Sequence, residues 1–251
     1  MKSVDSSTRV TKNALTDANF EGCMPGSNEC YETSYRCKVE IEEHSDFIEL
    51  RSNSIPDHNA WAQGVGASTI DIQDIRVRFP IAPKLLSIAD SMRQPVQAGH
   101  IGYALNGVAF HNPYHTDTCC DATLDRAPWN DVCNGDSFGG TYSYQFWGHN
   151  TKMGYPFCSM TCHDSMKSEI VGVARDGFAI YGPMQYYSES YKMVFDYGCD
   201  DCKLIQITAD HTDKCGGILV GDGYEDEGGH YRYIATGAFP YFLQCYRGDL
   251  Q

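Results

Sequence analysis

Two stretches of the chain align without a gap. Residues 101–113 read IGYALNGVAFHNP, and residues 171–183 read VGVARDGFAIYGP. They share Gly, Ala, Asn-Gly or Asp-Gly, Ala and Pro in register. Asn-Gly or Asp-Gly between alternating apolar residues is the strongest short-range signal for a β-hairpin. Each stretch is therefore predicted to fold as a hairpin whose second strand ends at a proline.

Both stretches continue with the same two features. A Cys-x-Gly turn follows at residues 133–135 and again at 215–217. A Tyr-x-Tyr strand comes next, YSYQ at 142–145 and YRYI at 231–234. Successive side chains of a strand point to opposite faces, so the two tyrosines of each strand share one face. The sequence thus predicts two pseudo-symmetric β repeat units, at about residues 99–147 and 169–236.

Composition and patterning favour a mainly β (β-rich α+β) architecture. The 251 residues include 24 glycines, helical periodicity is hard to find, and the β-branched and aromatic runs are short. No low-complexity linker separates the two copies, which indicates a single disulfide-rich domain with long loops. We expect an N-terminal arm and cysteine-bearing segment at 1–44, followed by the repeat-containing domain at 45–251.

Local patterns also predict individual elements. Alternation predicts strands at 38–42, 46–51 and 70–81. Residues 84–98 are expected to form a loop or a short helix, and a second short helix is expected near 186–191. Residues 199–229 are expected to be irregular.

The twelve cysteines are even in number and dispersed along the chain, and Cys199-Asp-Asp-Cys202 is its single C-x-x-C. This pattern favours disulfides over a metal cluster and predicts at least four bridges formed in an oxidising compartment. Residues 1–19 contain no apolar signal-peptide core. We therefore expect a secreted protein whose mature chain carries an added Met1.

The net charge of −14 argues against nucleic acid and anionic membrane as partners. An acidic secreted surface is the simpler interpretation. The sequence carries no P-loop, no G-x-G-x-x-G and no H-E-x-x-H. It does not set the oligomeric state.

Five motifs in order give the chain a resemblance to the YHYH domain family, named for two Tyr-His-Tyr-His strands. The motifs are residues 52–58, 79–83, 101–113, 171–183 and 213–248. The resemblance spans about residues 45–248 and implies strands whose histidines, two apart, suit a metal. This chain is a divergent member, because its histidine positions hold Ser143, Gln145, Arg232 and Ile234. We therefore predict no strand-bound metal and no cofactor.

The remaining chemistry suggests one candidate site. Arg232 presents five fixed donors that suit an anion or a polarised oxygen. His163 follows Cys162, so a disulfide would hold it in place. The candidate catalytic residues are Arg232, His163, Tyr231 and Tyr142. The candidate binding residues are Tyr144, Tyr233, Asp176 and His111, although Asp176 is interpreted first as a hairpin corner and second as a buried carboxylate.

Three functions remain open at this point. The first is an enzyme or binder for a small organic molecule in an aromatic, Arg-containing pocket without a strand-bound metal. The second is a non-catalytic extracellular binding or matrix protein on a degenerate scaffold. The third is an oxygen-using secreted oxidase that is luciferase-like in general character only.

Overall fold

The computed structural model describes residues 37–56, 70–114, 121, 130–131, 133–145, 170–187, 203–220 and 231–250. Strands dominate these ranges, together with the short helix α1 (Ile88–Ser91) and a 3-10 turn (Ala209–His211). The strands, in chain order, are β1 Val39–Glu43, β2 Phe47–Ser52, β3 Ile75–Pro80, β4 His100–Ala104, β5 Ala109–His111, β6 Gly135–Phe138, β7 Thr141–Tyr144, β8 Ile170–Ala174, β9 Ala179–Tyr181, β10 Met184–Tyr187, β11 Lys203–Gln206, β12 Gly217–Leu219 and β13 Tyr231–Ile234.

The strands form three sheets. β1, β2 and β3 make an antiparallel meander, and β10 pairs with β11. The third sheet has eight strands in the order β12-β13-β9-β8-β4-β5-β7-β6. Among the described residues no helix is long and apolar enough to cross a membrane.

The two halves of the eight-stranded sheet are built in the same order. In each half a hairpin (β4–β5 or β8–β9) gains a parallel strand (β7 or β13) and then an antiparallel edge strand (β6 or β12). The registers also agree. Tyr144 lies opposite Phe110 and Gly135, and Tyr233 lies opposite Ile180 and Gly217. The halves meet where β4 runs antiparallel to β8.

Both predicted hairpins are confirmed, and their turn chemistry is local. Gly107 and Gly177 adopt positive φ, at +78° and +91°, a conformation that costs glycine nothing. Asn106 and Asp176 precede them, and each side-chain Oδ1 accepts the backbone N–H two residues on. Each turn is thus a three-residue hairpin loop ending in a left-handed glycine.

The large sheet buries side chains on both faces. The strand tyrosines lie on one face with Phe110, Phe178 and Phe242. The other face carries Tyr103, Val173, Tyr181 and Ile234, and it packs against Ile48, Leu50 and Phe79 of the three-stranded sheet. The three-stranded sheet therefore covers the face opposite the tyrosines.

Several sequence expectations need correction. The strand predicted at 70–81 is only β3, Ile75–Pro80. A short helix was expected near 186–191, and only residues 186 and 187 of that stretch are described. They belong to β10, because cross-strand pairing with β11 overrides local propensity. The region 199–229 is not wholly irregular, since it contains β11 and β12. The strands predicted at 38–42 and 46–51 are confirmed within a residue as β1 and β2.

The described disulfide joins Cys215 to Cys245, 30 residues apart. Cys133 is also disulfide-bonded. The expectation of at least four bridges stays a prediction. β1 lies inside the predicted N-terminal segment, yet it pairs with β2 along its full length.

Candidate functional site

The first tyrosine of each Tyr-x-Tyr strand is bound by an aspartate. The Tyr142 hydroxyl donates to Oδ2 of Asp131 at 2.5 Å, and the Tyr231 hydroxyl donates to Oδ1 of Asp213 at 3.1 Å. Both rings are buried, at 1% and 0% exposure. These phenols are therefore held inside the core by a fixed acceptor.

The two aspartates also shape the turns that carry them. Oδ1 of Asp131 accepts the N–H groups of Cys133 and Gly135, at 2.8 and 3.0 Å. Asp213 does the same for Cys215 and Gly217, at 2.8 and 3.2 Å. The repeated motif is thus Asp-x-Cys-x-Gly. Sequence reasoning found Cys-x-Gly but missed the aspartate, although both copies carry Asp two residues before the cysteine.

The glycine of this motif is required by the same tyrosine. A Cβ atom on Gly135 would overlap the Tyr142 hydroxyl oxygen, and one on Gly217 would overlap that of Tyr231. The preceding residue in each turn, Asn134 or Gly216, has positive φ, at 60° and 90°. The turn and the tyrosine therefore fit each other in both halves of the sheet.

The second tyrosine of each strand is tied to its hairpin turn. Nδ2 of Asn106 donates to the Tyr144 hydroxyl at 2.8 Å. The Tyr233 hydroxyl donates to Oδ2 of Asp176 at 2.6 Å. Both tyrosines are fully buried. The residue before the turn glycine thus links β7 and β13 to β5 and β9.

Burial keeps these phenols protonated. It raises the pKa of Tyr142, Tyr231 and Tyr233 well above the usual value of 10, and a neighbouring aspartate raises the pKa of each one further. A general base or nucleophile at neutral pH needs a pKa near 7 and a path to the substrate. The pKa of each of these three tyrosines is therefore far above 7.

Asp176 is both a hairpin corner and a buried carboxylate. It is 0% exposed, and burial raises its pKa to about 6. Hydrogen bonds from the Tyr233 hydroxyl and from the N–H of Gly248 oppose that rise. The corner interpretation was correct but incomplete, because the side chain also anchors the C-terminal tail.

The tail adds an arginine that sequence reasoning missed. Nη1 of Arg247 lies 2.5 Å from Oδ2 of Asp213, and its guanidinium carbon lies 4.8 Å from the Tyr231 ring centroid. The backbone N–H of Arg247 donates to the Tyr233 hydroxyl at 2.7 Å. The Cys215–Cys245 disulfide holds this tail beside the Asp213 turn.

Arg232 lies on the opposite face of the sheet from the tyrosines. It is 1% exposed, and its guanidinium carbon sits 4.5 Å over the ring of Tyr181. Burial lowers the pKa of Arg232 to about 10, and attraction to Tyr181 opposes that effect. The structure therefore does not bring Arg232 together with Tyr142 and Tyr231 in one cavity.

The other substituted histidine positions are buried as well. Ser143, Gln145 and Ile234 are 3%, 2% and 1% exposed. Nε2 of Gln145 donates to Oγ of Ser143 at 3.1 Å. His163, the remaining candidate catalytic residue, lies outside the described residues. No group of three or more His, Cys, Asp or Glu side chains suited to a metal occurs in the described part of the chain.

Ser137 lies within a Gly-x-Ser-x-Gly spacing at residues 135–139 that sequence reasoning overlooked. A nucleophile elbow places this serine between a strand and a helix. Here Ser137 lies within β6, and Gly139 and Gly140 form the two-residue turn into β7. The backbone context therefore differs from that of a hydrolase nucleophile.

His111 ends β5 and faces a second histidine. It lies directly opposite His100 on β4, with the ring centroids 6.2 Å apart. Nδ1 of His111 is 2.9 Å from the carbonyl oxygen of Asn112. Both side chains are partly exposed.

Three aromatic rings form a separate, partly exposed cluster. Tyr114 packs edge-on against Phe239 at 4.8 Å, and Phe239 packs against Tyr241 at 6.0 Å. The Tyr241 hydroxyl donates to Oδ2 of Asp121 at 2.7 Å. Tyr241 also has a positive φ of 66°, which is uncommon for a bulky residue. We call these four residues the aromatic cluster.

Comparison with known proteins gives one result. Neither the curated proteins nor the solved structures contain a significant match to this chain. Residues 76–248 match the family described as YHYH protein. This range runs from the second residue of β3 to beyond β13, and it includes both Asp-x-Cys-x-Gly turns and both tyrosine strands. The chain belongs to the YHYH protein family.

Proposed function

We propose that this protein is a non-catalytic extracellular binder of a small organic molecule, in which the tyrosine strands serve as a frame. One observation carries the proposal. Each of the four strand tyrosines has its hydroxyl bonded to a fixed polar group inside the core, as the preceding distances describe. In this proposal the four hydroxyl groups hold the strands of the sheet in place and do not contact a substrate.

The former histidine positions support the same conclusion. Ser143 and Arg232 are buried at 3% and 1% exposure. Arg232 stacks on Tyr181, so its charge is directed at an aromatic ring of the core. A catalytic arginine would instead face the space where a substrate binds. Arg232 therefore acts as a packing residue in this proposal.

The frame itself consists of two pseudo-symmetric copies within one domain. Equal registers on both sides of the β4–β8 seam support this arrangement. The paired tyrosine contacts support it as well, with Asp131 matching Asp213 and Asn106 matching Asp176. In this arrangement Tyr142 superposes on Tyr231.

An extracellular location fits the disulfide chemistry. Disulfides persist in oxidising compartments. Cys215 and Cys245 are bridged, and Cys133 is bridged as well. The acidic composition, with a net charge of −14, suits a soluble secreted surface.

The aromatic cluster is the ligand surface in this proposal. Tyr114, Phe239 and Tyr241 are partly exposed, and their rings meet at nearly right angles, 71° and 87°. Asp121 adds a carboxylate at the same place. Aromatic faces combined with a carboxylate attract organic cations, above all quaternary ammonium groups.

Calorimetric titration of the full chain tests the ligand surface. Tetramethylammonium is the probe, and neopentanol, of similar shape and no charge, is the matched compound. We expect saturable binding of the cation alone. Phe239→Leu should weaken that binding about fivefold, because loss of one cation–π contact costs on the order of 1 kcal/mol. Phe138→Leu removes an aromatic ring that is 74% exposed outside the cluster and serves as the control.

The outcomes separate the ligand surface from the frame. Equal responses to both compounds, or an unchanged affinity in Phe239→Leu, would contradict the aromatic cluster as the site. Tyr142→Phe tests the frame, because it removes the buried hydroxyl that donates to Asp131. We expect a lower melting temperature and an unchanged affinity for the cation. Loss of binding without loss of stability would instead place Tyr142 in a functional site.

A further inference from the structure

His100 and His111 lie directly opposite each other on the antiparallel strands β4 and β5. Their ring centroids are 6.2 Å apart, and the rings are inclined at 76°. We propose that this pair binds one divalent first-row transition-metal ion, with Cu²⁺ bound most tightly. The proposal concerns the edge of the sheet at these strand ends, and it is independent of the aromatic cluster.

The ring separation fits a shared ion. A metal lies about 2.0–2.1 Å from an imidazole nitrogen, so each ring centroid lies about 3.2 Å from the ion and two coordinating rings are at most about 6.4 Å apart. The observed 6.2 Å is just inside that limit. At this separation two coordinating nitrogens would lie on nearly opposite sides of the ion.

The contact of His111 with Asn112 selects the nitrogen that binds. A carbonyl oxygen only accepts hydrogen bonds, so Nδ1 of His111, 2.9 Å from the Asn112 oxygen, carries the proton. Nε2 then carries the lone pair. A histidine that ligates a metal through one nitrogen commonly donates its other N–H to a carbonyl in this way.

The backbone prepares the position. The register of β4 and β5 shifts between His100 and Gly102, which marks a bulge. A bulge re-aims the side chains beside it. Both histidines are partly exposed, so water can complete the coordination sphere. Two imidazoles with water favour Cu²⁺ over Zn²⁺ and Ni²⁺ by the general affinity order of divalent metals.

Electron paramagnetic resonance with Cu²⁺ tests the proposal. The full chain, first dialysed against a chelator, is titrated with Cu²⁺ at pH 7.4. We expect one tight site with nitrogen hyperfine splitting from two imidazoles. His100→Gln and His111→Gln should each leave one coordinating imidazole and weaken binding by about tenfold or more, because each removes half of the protein ligands.

A matched control and two contrary outcomes complete the design. His211→Gln removes an exposed imidazole that caps the 3-10 turn through Thr208, and it should leave the copper signal unchanged. Fewer than two imidazole nitrogens in the unaltered chain would overturn the proposal without any variant. Copper binding that persists undiminished in His100→Gln and in His111→Gln would also overturn it. Melting temperatures establish that each variant is folded.

Discussion

The Tyr233 hydroxyl donates a 2.6 Å hydrogen bond to Oδ2 of Asp176, across 57 residues of chain. The same oxygen accepts the N–H of Gly248 at 2.9 Å. In the other half of the sheet, Asn106 occupies the equivalent place and donates to Tyr144. The difference between Asp and Asn follows from the tail. An amide nitrogen cannot accept the Gly248 N–H, so this half of the sheet needs a carboxylate.

Asp176 should make stability depend on pH. Its pKa is about 6 in the folded chain and 3.8 ordinarily. Because the pKa of Asp176 is higher in the folded chain, its protonated form stabilises the folded state. This contribution to the free energy of unfolding is fully present below pH 4 and is lost as the pH rises through 6. Relative to Asp176→Asn, the unaltered protein should lose about 2–3 kcal/mol of unfolding free energy between pH 4 and 7.

Denaturant unfolding at several pH values measures this difference. Asp74→Asn, which neutralises a carboxylate on a side chain that is 79% exposed, is the control for the loss of one ionisable group. A constant difference between the protein and Asp176→Asn across this range would mean that Asp176 does not titrate there.

The turn glycines should tolerate no side chain. A Cβ on Gly135 or Gly217 would overlap a buried tyrosine hydroxyl. Gly135→Ala and Gly217→Ala should each lower the free energy of unfolding by about 1–3 kcal/mol, the usual cost of overpacking. Gly237→Ala has nothing within 4 Å of the new atom and should change stability little. Thermal unfolding of the three variants checks this order, and equal melting temperatures would contradict it.

Arg247 and Arg232 should respond differently to replacement by Met. Arg247→Met leaves Asp213 without its 2.5 Å ion pair, and we expect a loss of about 2–3 kcal/mol, reduced because Asp213 is 23% exposed. Arg232 stacks on Tyr181, and its burial opposes the charge. Because Arg232→Met replaces a desolvated charge with an apolar side chain, it should cost less stability than Arg247→Met. A larger loss in Arg232→Met than in Arg247→Met would indicate that Arg232 satisfies a buried acid.

The disulfide should stabilise the tail. Cys215 and Cys245 are 30 residues apart. A closed loop of that length is worth about 3–4 kcal/mol through the entropy of the unfolded chain. The double variant Cys215→Ala, Cys245→Ala should lose about that amount in denaturant unfolding. Mass spectrometry before and after reduction counts all the bridges, and mostly unbridged thiols would contradict the expected four or more.

The sequence by itself determined the features that depend on neighbours in the chain. Asn-Gly and Asp-Gly specify their hairpins because a left-handed glycine and a side-chain acceptor suffice to close the turn. The alternation of Tyr-x-Tyr placed both tyrosines of a strand on one face. The same alternation places Arg232 on the face opposite Tyr231. The predicted site nevertheless combined the two residues, although the pattern already separated them.

Only the tertiary structure decided what the candidate residues contact. Tyr231 meets Asp213 and Arg247, and Tyr233 meets Asp176, through pairings that join separate strands and the tail. β10 and β11 exist because each satisfies the backbone of the other, which no local propensity reveals. The His100–His111 pair likewise depends on the register of β4 against β5. A local pattern fixes the direction of a side chain, whereas its partner depends on the long-range packing of strands, which a single sequence does not encode in any one segment.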